Sequence, residues 1–262
     1  MTLKKTVRSV FLLLSLAFAG GLAAGLFSLH QPANPAVQAA QSAKPRPTLR
    51  VITLGGSIAR GWMDTGWQNW KNGWFGGYLV RGFKAFSLEN DAHYEIINHT
   101  IVGANSTQMA TMYKGDYGKW LAQDKPQIVV LSWGLLNDAL PKTPLAAFDR
   151  YVRDEIIQGL DAHAVVFVIS PPVSEASLTT YKTAFRHYLN SEIALVRQLH
   201  NPNVYMFNLY DPMHAYMDAH HISVKSVAGN TWHPNAKGHA IAGQILANEL
   251  EQKFGKQPVR YQ

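Results

Sequence analysis

The chain has 262 residues, 47% of them hydrophobic and 16% charged, a composition typical of a globular protein with one sizeable core. It contains no cysteine, which excludes disulfides, thiol catalysis and thiolate metal sites. The formal net charge is +7, but no run of lysine and arginine is interleaved with aromatic residues. We therefore expect no nucleic-acid partner.

The first 31 residues are predicted to be a targeting segment. Lys4, Lys5 and Arg8 precede an uncharged apolar run over residues 10–29. That run approaches the roughly 20 residues that span a bilayer, and small residues further on permit cleavage, so a cleaved signal peptide and a retained membrane anchor are both open. Positive charge before the run predicts an extracytoplasmic location in either case, secreted or held at the outer face of the cytoplasmic membrane.

Residues 32–47 are rich in Pro, Ala, Gln and Ser and predict a flexible linker. Residues 48–262 are then one catalytic domain, in which apolar strands alternate with helices. The predicted strands are the first half of 49–62, then 94–102, 126–133, 164–169 and 204–209. The predicted helical stretches are 75–88, 109–122, 144–160, 177–200 and 234–254. This alternation indicates a three-layer α/β/α sandwich around a five-stranded, mainly parallel sheet of the flavodoxin-like kind.

The first strand leads into two glycines and Ser57. A strand, a sharp glycine turn and a serine predict a nucleophile, because the glycines let the backbone approach a substrate closely. The alternative is a simple flexible turn, which is common. Near the other end of the chain, His233 stands just before the last helix and is the candidate base.

Two further turns follow predicted strands. Gly103 ends the second strand, and Asn137 lies just after the third. In open α/β sheets, ligands bind at the carboxyl ends of the strands, so both residues are candidates for a site there. Each also has an ordinary structural use, as a turn glycine and a turn-forming asparagine.

Serine, glycine, asparagine and histidine in this order resemble the SGNH, or GDSL-type, hydrolase superfamily, over residues 49–250. The resemblance implies a Ser57 nucleophile and a His233 general base. It also implies an oxyanion hole formed by Ser57, Gly103 and Asn137. No metal or organic cofactor is expected.

Two positions depart from the family pattern. Asn230 stands where the family usually has the aspartate that orients the histidine, and Gly56 stands where it usually has aspartate. An asparagine oxygen preserves the histidine tautomer but supplies no negative charge. We therefore expect a serine–histidine pair oriented by Asn230 or by a backbone carbonyl, with Asp138 and Asp211 as less favoured substitutes.

The resulting hypothesis is a serine esterase that removes short acyl groups, most plausibly acetyl, from envelope polysaccharide, another carbohydrate, a cell-wall polymer or a small ester. Trp62 and Trp232 are the predicted substrate-binding aromatics, within an aromatic segment that also includes Trp67, Trp70 and Trp74. A lipase or lysophospholipase of the same superfamily is one alternative. A catalytically silent, glycan-binding envelope protein is another. An α/β-hydrolase with a mid-domain G-x-S-x-G serine fits less well.

Other polar residues are given structural roles. Asp138 is expected to lock a loop, Ser106 to cap a helix, and Asp211 to cap the helix that continues at Pro212. His214, His220 and His221 lack a familiar ligand spacing and are expected at exposed helix ends, so no metal site is predicted.

Overall fold

The computed structural model describes residues 45–63 and 76–262, and five of its strands form one sheet. They are β1 (Thr48–Gly55), β2 (His93–Asn98), β3 (Ile128–Ser132), β4 (Val165–Ile169) and β5 (Val204–Phe207). Their spatial order is β2-β1-β3-β4-β5, and every neighbouring pair is parallel. The predicted fold class is therefore confirmed, with the strand order of flavodoxin-like folds.

The described helices lie between and after the strands. They are α1 (Tyr78–Glu89), α2 (Ser106–Thr111), α3 (Lys114–Asp124), α4 (Leu136–Ala139), α5 (Leu145–Asp161), α6 (Glu175–Leu178), α7 (Lys182–Leu199), α8 (Tyr210–Ala219), α9 (Val224–Val227) and α10 (Ala236–Phe254). On one side of the sheet α1 packs against α10, while α2, α5 and α7 pack in succession. Right-handed crossovers place this second group on the opposite face.

The core lies on both faces of the sheet. Every residue of β3 and β4 is buried, which explains why both strands read as continuous apolar runs. The helices contribute one apolar face each, such as Phe148, Val152 and Ile156 of α5. No helix within the described ranges is both long and apolar enough to cross a membrane. The targeting segment, most of the linker, and Trp67, Trp70 and Trp74 lie outside the described residues.

Several predicted element ends differ from the observed ones by a few residues, and three differences involve a specific side chain. The second strand ends at Asn98, not at 102. The Asn98 side chain accepts the Thr100 N–H at 2.9 Å, and beyond it the Ile101 N–H still donates to the Gly55 carbonyl at 2.9 Å. Asn105, not Ser106, caps α2, since its side chain accepts the Gln108 N–H at 2.9 Å.

The remaining cap correction concerns α8, which starts one residue before Asp211. Leu209 is its N-cap, so Asp211 lies in the first turn. The Asp211 carboxylate accepts from Asn208 Nδ2 at 2.6 Å and pairs with Arg186 at 2.7 Å.

Candidate active site

The predicted site residues meet at the carboxyl ends of β1 and β3. Because β2 and β3 lie on opposite sides of β1, the chain changes direction there, and a crevice opens at this switch point. It contains a cavity of about 550 Å³. All the predicted catalytic, oxyanion-hole and substrate-binding residues line it. The described lining is Ser57, Ile58, Trp62, Val102, Gly103, Gly134, Leu136, Asn137, Leu140, Asn230, Trp232 and His233.

Ser57 and His233 form a hydrogen bond across this cavity. The Ser57 Oγ and His233 Nε2 atoms are 2.8 Å apart, although the residues are 176 positions apart in sequence. Ser57 lies in the turn after β1, in which its carbonyl accepts the Trp62 N–H at 3.0 Å. The distance is within the range needed for proton transfer from a serine hydroxyl to a base.

Asn230 determines which nitrogen of His233 carries the proton. Its Oδ1 atom accepts the backbone N–H groups of Trp232 at 2.8 Å and His233 at 2.9 Å, so this atom must be the amide oxygen. The same oxygen lies 3.0 Å from His233 Nδ1. Nδ1 is therefore the protonated nitrogen, and Nε2 is free to accept the Ser57 proton. Neither Asp138 nor Asp211 takes this position.

Backbone hydrogen bonds join the two ends of the loop that carries His233, just before α10 begins. The His233 carbonyl accepts the Gly229 N–H at 2.9 Å, and residues 228 and 234 form a short antiparallel bridge. Asn235 then caps α10, with its side chain accepting the Gly238 N–H at 3.0 Å. These local hydrogen bonds fix the position of His233.

The electrostatics of the cavity favour a neutral His233. Burial lowers the pKa of His233 to about 4, because desolvation disfavours the imidazolium form. No lysine, arginine, aspartate or glutamate is among the lining residues that the structure describes. A neutral imidazole is the state that can act as a general base at neutral pH.

Ser57, Gly103 and Asn137 all line the cavity, and each has a hydrogen-bond donor available. Gly103 adopts φ of +80°, a left-handed conformation that favours glycine. Within the described chain, the backbone N–H groups of Ser57 and Gly103 have no hydrogen-bond acceptor. Asn137 Nδ2 donates one hydrogen to the Ala104 carbonyl at 2.7 Å, which leaves its second hydrogen for a ligand. This arrangement suits an oxyanion.

Gly56 provides the space that Asn137 occupies. A Cβ atom at Gly56 would lie 2.9 Å from Asn137 Nδ2 and 3.4 Å from the Ala104 carbonyl oxygen. The first of these distances is shorter than real Cβ atoms show, and the second is close to ordinary van der Waals contact. The glycine at this position is therefore matched to the observed position of the Asn137 side chain.

Asp138 connects the two turns that carry Gly103 and Asn137. Its carboxylate accepts the Ser106 hydroxyl at 2.7 Å and the Ser106 N–H at 3.3 Å. Asn105 Nδ2 adds a bond to the Asn137 carbonyl at 3.2 Å. Burial raises the pKa of Asp138. Asp138 therefore holds the two turns together, as predicted. The Ser106 hydroxyl, which was predicted to cap a helix, donates to Asp138 instead.

The aromatic wall of the cavity is held by a residue that the sequence did not single out. His239 is fully buried in α10, donates from Nε2 to the Trp62 carbonyl at 3.1 Å and accepts the Tyr78 N–H at 3.3 Å. Trp232 packs on Tyr181, with ring centroids 5.3 Å apart. The one available signal for His239 was its position on the inward face of the last helix.

His214, His220 and His221 are not among the residues that line this cavity. His220 and His221 are exposed at the end of α8, as predicted, but the prediction is wrong for His214, which lies within α8 and is half-buried. Among residues 45–63 and 76–262, no three histidine, aspartate or glutamate side chains are grouped as metal ligands.

A parallel α/β/α sandwich with a serine–histidine pair at the switch point of its sheet is the architecture of a hydrolase. The chain belongs to the GDSL-like lipase/acylhydrolase family, whose family model matches residues 53–241. It is therefore an ester-hydrolysing enzyme. No curated protein is significantly similar to the chain.

Solved structures of esterases share the fold at low sequence identity. An acetylxylan esterase from Geobacillus stearothermophilus is 14% identical, with a TM-score of 0.61 over 79% of this chain and 96% of that one. A family two carbohydrate esterase from Clostridium thermocellum is 17% identical, with a TM-score of 0.57 over 81% and 66%. The esterase EstA from a Pseudoalteromonas species is 15% identical, with a TM-score of 0.55 over 78% and 97%.

Proposed function

We propose that the protein is a serine esterase that removes short acyl groups, acetyl above all, from a carbohydrate or an envelope polysaccharide. The observation that carries the proposal is the 2.8 Å hydrogen bond between Ser57 Oγ and His233 Nε2 inside a cavity of about 550 Å³. Asn230 keeps the histidine in the tautomer that this bond requires.

The reaction begins when His233 Nε2 takes the proton of Ser57 as Oγ attacks the ester carbonyl. The carbonyl oxygen becomes an oxyanion, which accepts hydrogen bonds from the N–H groups of Ser57 and Gly103 and from Asn137 Nδ2. Loss of one such donor typically lowers the rate about 10²- to 10³-fold. When the intermediate collapses, the C–O bond to the alcohol breaks and His233 gives its proton to the departing oxygen.

Deacylation uses the same groups with water in place of the alcohol. His233 takes one proton from water, whose oxygen attacks the acyl carbon of the Ser57 ester. Collapse of the second tetrahedral intermediate releases the acid and returns the proton to Ser57 Oγ. The reaction needs no redox partner and no metal.

The two sides of the cavity suit the two halves of a sugar ester. The departing alcohol must lie beside His233, which protonates it, and Trp62 and Trp232 form the wall on that side. Aromatic rings with their amphipathic faces suit a sugar ring there. The acyl group then faces the aliphatic side chains of Val102, Leu136 and Leu140. The fold likeness to esterases of carbohydrates supports the same assignment.

A lipase or lysophospholipase activity is the second candidate. Val102 and Leu140, which line the cavity, are 46% and 59% exposed. An acyl chain longer than acetyl would cover them and remove their apolar surface from water. This candidate predicts higher kcat/KM for octanoate esters than for acetate.

The extracytoplasmic location is also proposed, on the basis of the N-terminal charges and apolar run alone. Fractionation of the producing cells, with protease added to intact cells or spheroplasts, measures it directly. Protection of the enzyme until the cells are lysed would place it in the cytoplasm and contradict the proposal.

The direct test is hydrolysis of p-nitrophenyl acetate, butyrate and octanoate by the purified protein. Ser57→Ala and His233→Ala should each abolish turnover, while His220→Ala, which changes an exposed histidine, should leave it unchanged. Acetylated xylan then tests the carbohydrate. Activity that persists in Ser57→Ala would contradict the mechanism, and inactivity of the wild type on every ester would favour the silent glycan-binding alternative.

A further inference from the structure

A second cavity, of about 250 Å³, lies between α6, α7 and α8 and has no part in the mechanism above. It is lined by Leu178, Lys182, Thr183, Arg186, His187, Tyr210 and His214. We propose that it binds an anionic group, a carboxylate or a phosphate, that a polymeric substrate carries at a distance from the reacting ester. This inference rests on the proposed function, because it takes the substrate to be a glycan.

The polar lining of this cavity is mainly basic. Four lining side chains are basic, and no aspartate or glutamate is among the described lining residues. Asp211, just outside it, pairs with Arg186 at 2.7 Å, and the exposed Asp218 lies 3.8 Å from His214. Lys182 has no ion-pair partner in the described chain. It is the cation available to a ligand.

Tyr210 forms the floor of the cavity and is held by packing and a hydrogen bond. The Tyr210 ring is buried against Phe185 at a centroid distance of 4.5 Å, and its hydroxyl donates to the Ser177 carbonyl at 3.0 Å. The Arg186 guanidinium lies 5.1 Å from the centre of this ring, and the His214 ring stacks over it at 6.4 Å. Arg186 and His214 are therefore held in place before binding and lose little conformational entropy when an anion arrives, whereas the exposed Lys182 does not share these contacts.

Lys182 and Arg186 lie at positions where they do not stabilise α7. Lys182 and Arg186 are four residues apart on α7, and like charges at this spacing repel each other. Lys182 also lies in the first turn, which has no acidic residue, and a cation there opposes the helix dipole. Helix stability therefore does not explain this cluster, whereas anion binding does.

The cavity adjoins the wall on which the sugar is proposed to bind. Trp232 of the active site packs on Tyr181, the residue immediately before Lys182, with ring centroids 5.3 Å apart. The Ala176 N–H, at the start of α6, donates to the Thr231 carbonyl at 2.8 Å and joins the two regions. A glycan that lies on Trp232 can thus continue over Tyr181 towards Lys182.

The ligand chemistry has two sources in glycans, the carboxylate of a uronic acid and the phosphate of a phosphodiester. Binding assays should therefore use oligogalacturonate, phosphomannan fragments and neutral dextran fragments as separate probes. Titration calorimetry with Ser57→Ala measures binding without turnover. We expect both anionic probes, or one of them, to bind more tightly than dextran, with an affinity that falls as salt is raised.

Lys182→Glu is the decisive variant, and Lys84→Glu is its matched control, because Lys84 is an exposed lysine on α1 in the other helix layer. Lys182→Glu should weaken anionic-probe binding about threefold to tenfold, as expected for loss of a partly exposed ion pair and its reversal. It should leave p-nitrophenyl acetate hydrolysis unchanged within about twofold. Lys84→Glu should change neither.

The outcomes separate the two proposals. Equal affinity for anionic and neutral probes, or equal effects of Lys182→Glu and Lys84→Glu, would overturn the anionic subsite. Anionic binding that depends on Lys182 in a protein without esterase activity would support the subsite and overturn the proposed function. Binding of only one anionic probe would support the subsite and identify its ligand as a carboxylate or a phosphate.

Discussion

The side-chain oxygen of Asn230 lies 3.0 Å from Nδ1 of His233, where many serine hydrolases have a carboxylate oxygen. Because the same oxygen accepts two backbone N–H groups, the amide cannot turn over and present its nitrogen instead. Asn230 therefore gives His233 the orientation that an aspartate would, without its negative charge. Proton transfer to His233 must proceed without a counter-ion for the imidazolium.

Asn230→Asp should increase activity. A carboxylate can keep all three hydrogen bonds and adds a negative charge next to the imidazolium that forms as Ser57 attacks. We expect kcat at pH 8 to rise about tenfold, the effect of about 1.4 kcal/mol of added transition-state stabilisation. The measurement is steady-state hydrolysis of p-nitrophenyl acetate. Asn248→Asp, an exposed change on α10, is the control, and an unchanged or lower kcat in Asn230→Asp would contradict the expectation.

The kcat/KM of the wild type should change little as the pH falls below neutral. Burial lowers the pKa of His233 to about 4, and His233 must be neutral to act as a base. Because the neutral form persists down to that pKa, kcat/KM should stay level from about pH 8 to pH 5 and fall by half near pH 4. In Asn230→Asp the added negative charge favours imidazolium, so the fall should move to higher pH. A wild-type midpoint near 6.5, the ordinary value for histidine, would contradict this prediction.

Gly56→Ala should damage the proposed oxyanion hole and spare the fold. The added methyl would lie 2.9 Å from Asn137 Nδ2 and must push this amide aside. Loss of one donor lowers kcat about 10²- to 10³-fold, and partial displacement should lower it at least about tenfold. Gly118→Ala on α3, where a Cβ meets nothing within 4 Å, is the matched control. Equal kcat values for the two variants and the wild type would show that Asn137 has room to move.

Glu192→Gln should make the protein more stable at alkaline pH. Burial, with help from the charges of Asp138 and Asp149, raises the pKa of Glu192 to about 8 from 4.5. A raised folded-state pKa gives stability that is fully present below pH 4.5 and is lost as pH rises through about 8. Glutamine cannot ionise, so the variant should lack this loss.

The measurement is Tm at pH 5 and pH 8 for the wild type, Glu192→Gln and the exposed control Glu251→Gln. The variant should show a smaller decrease in Tm between the two pH values than the other two proteins. Parallel decreases in all three would mean that Glu192 does not titrate in this range.

The sheet was predictable from sequence because its central strands are buried on both faces and leave uninterrupted apolar runs, as in β4. The end of β2 was not, because Ile101 and Val102 continue the apolar pattern beyond Asn98 and the Ile101 N–H still bonds to the Gly55 carbonyl. Similarly, Asn105 and Ser106 are both good helix caps. The choice between them depends on Asp138, 32 positions further along the chain.

Part of the site was also predictable from the sequence. Residues at the carboxyl ends of neighbouring parallel strands must come together, which brings Ser57 near Asn137. The contact between Asn230 and His233 is local, so its spacing predicts it. His239 was not identified because its partners, Tyr78 and the Trp62 carbonyl, are about 160 to 180 positions away. The local sequence gives only its position on the inward face of α10, which does not identify these partners.

The hydrogen bond between Ser57 and His233 joins residues near the two ends of the folded domain. A growing chain therefore contains the proposed nucleophile long before it contains the proposed base. Joining residues this far apart in sequence carries a large loop-closure entropy. A fragment that ends before His233 lacks the proposed base, so the proposed activity requires synthesis of the chain through this residue.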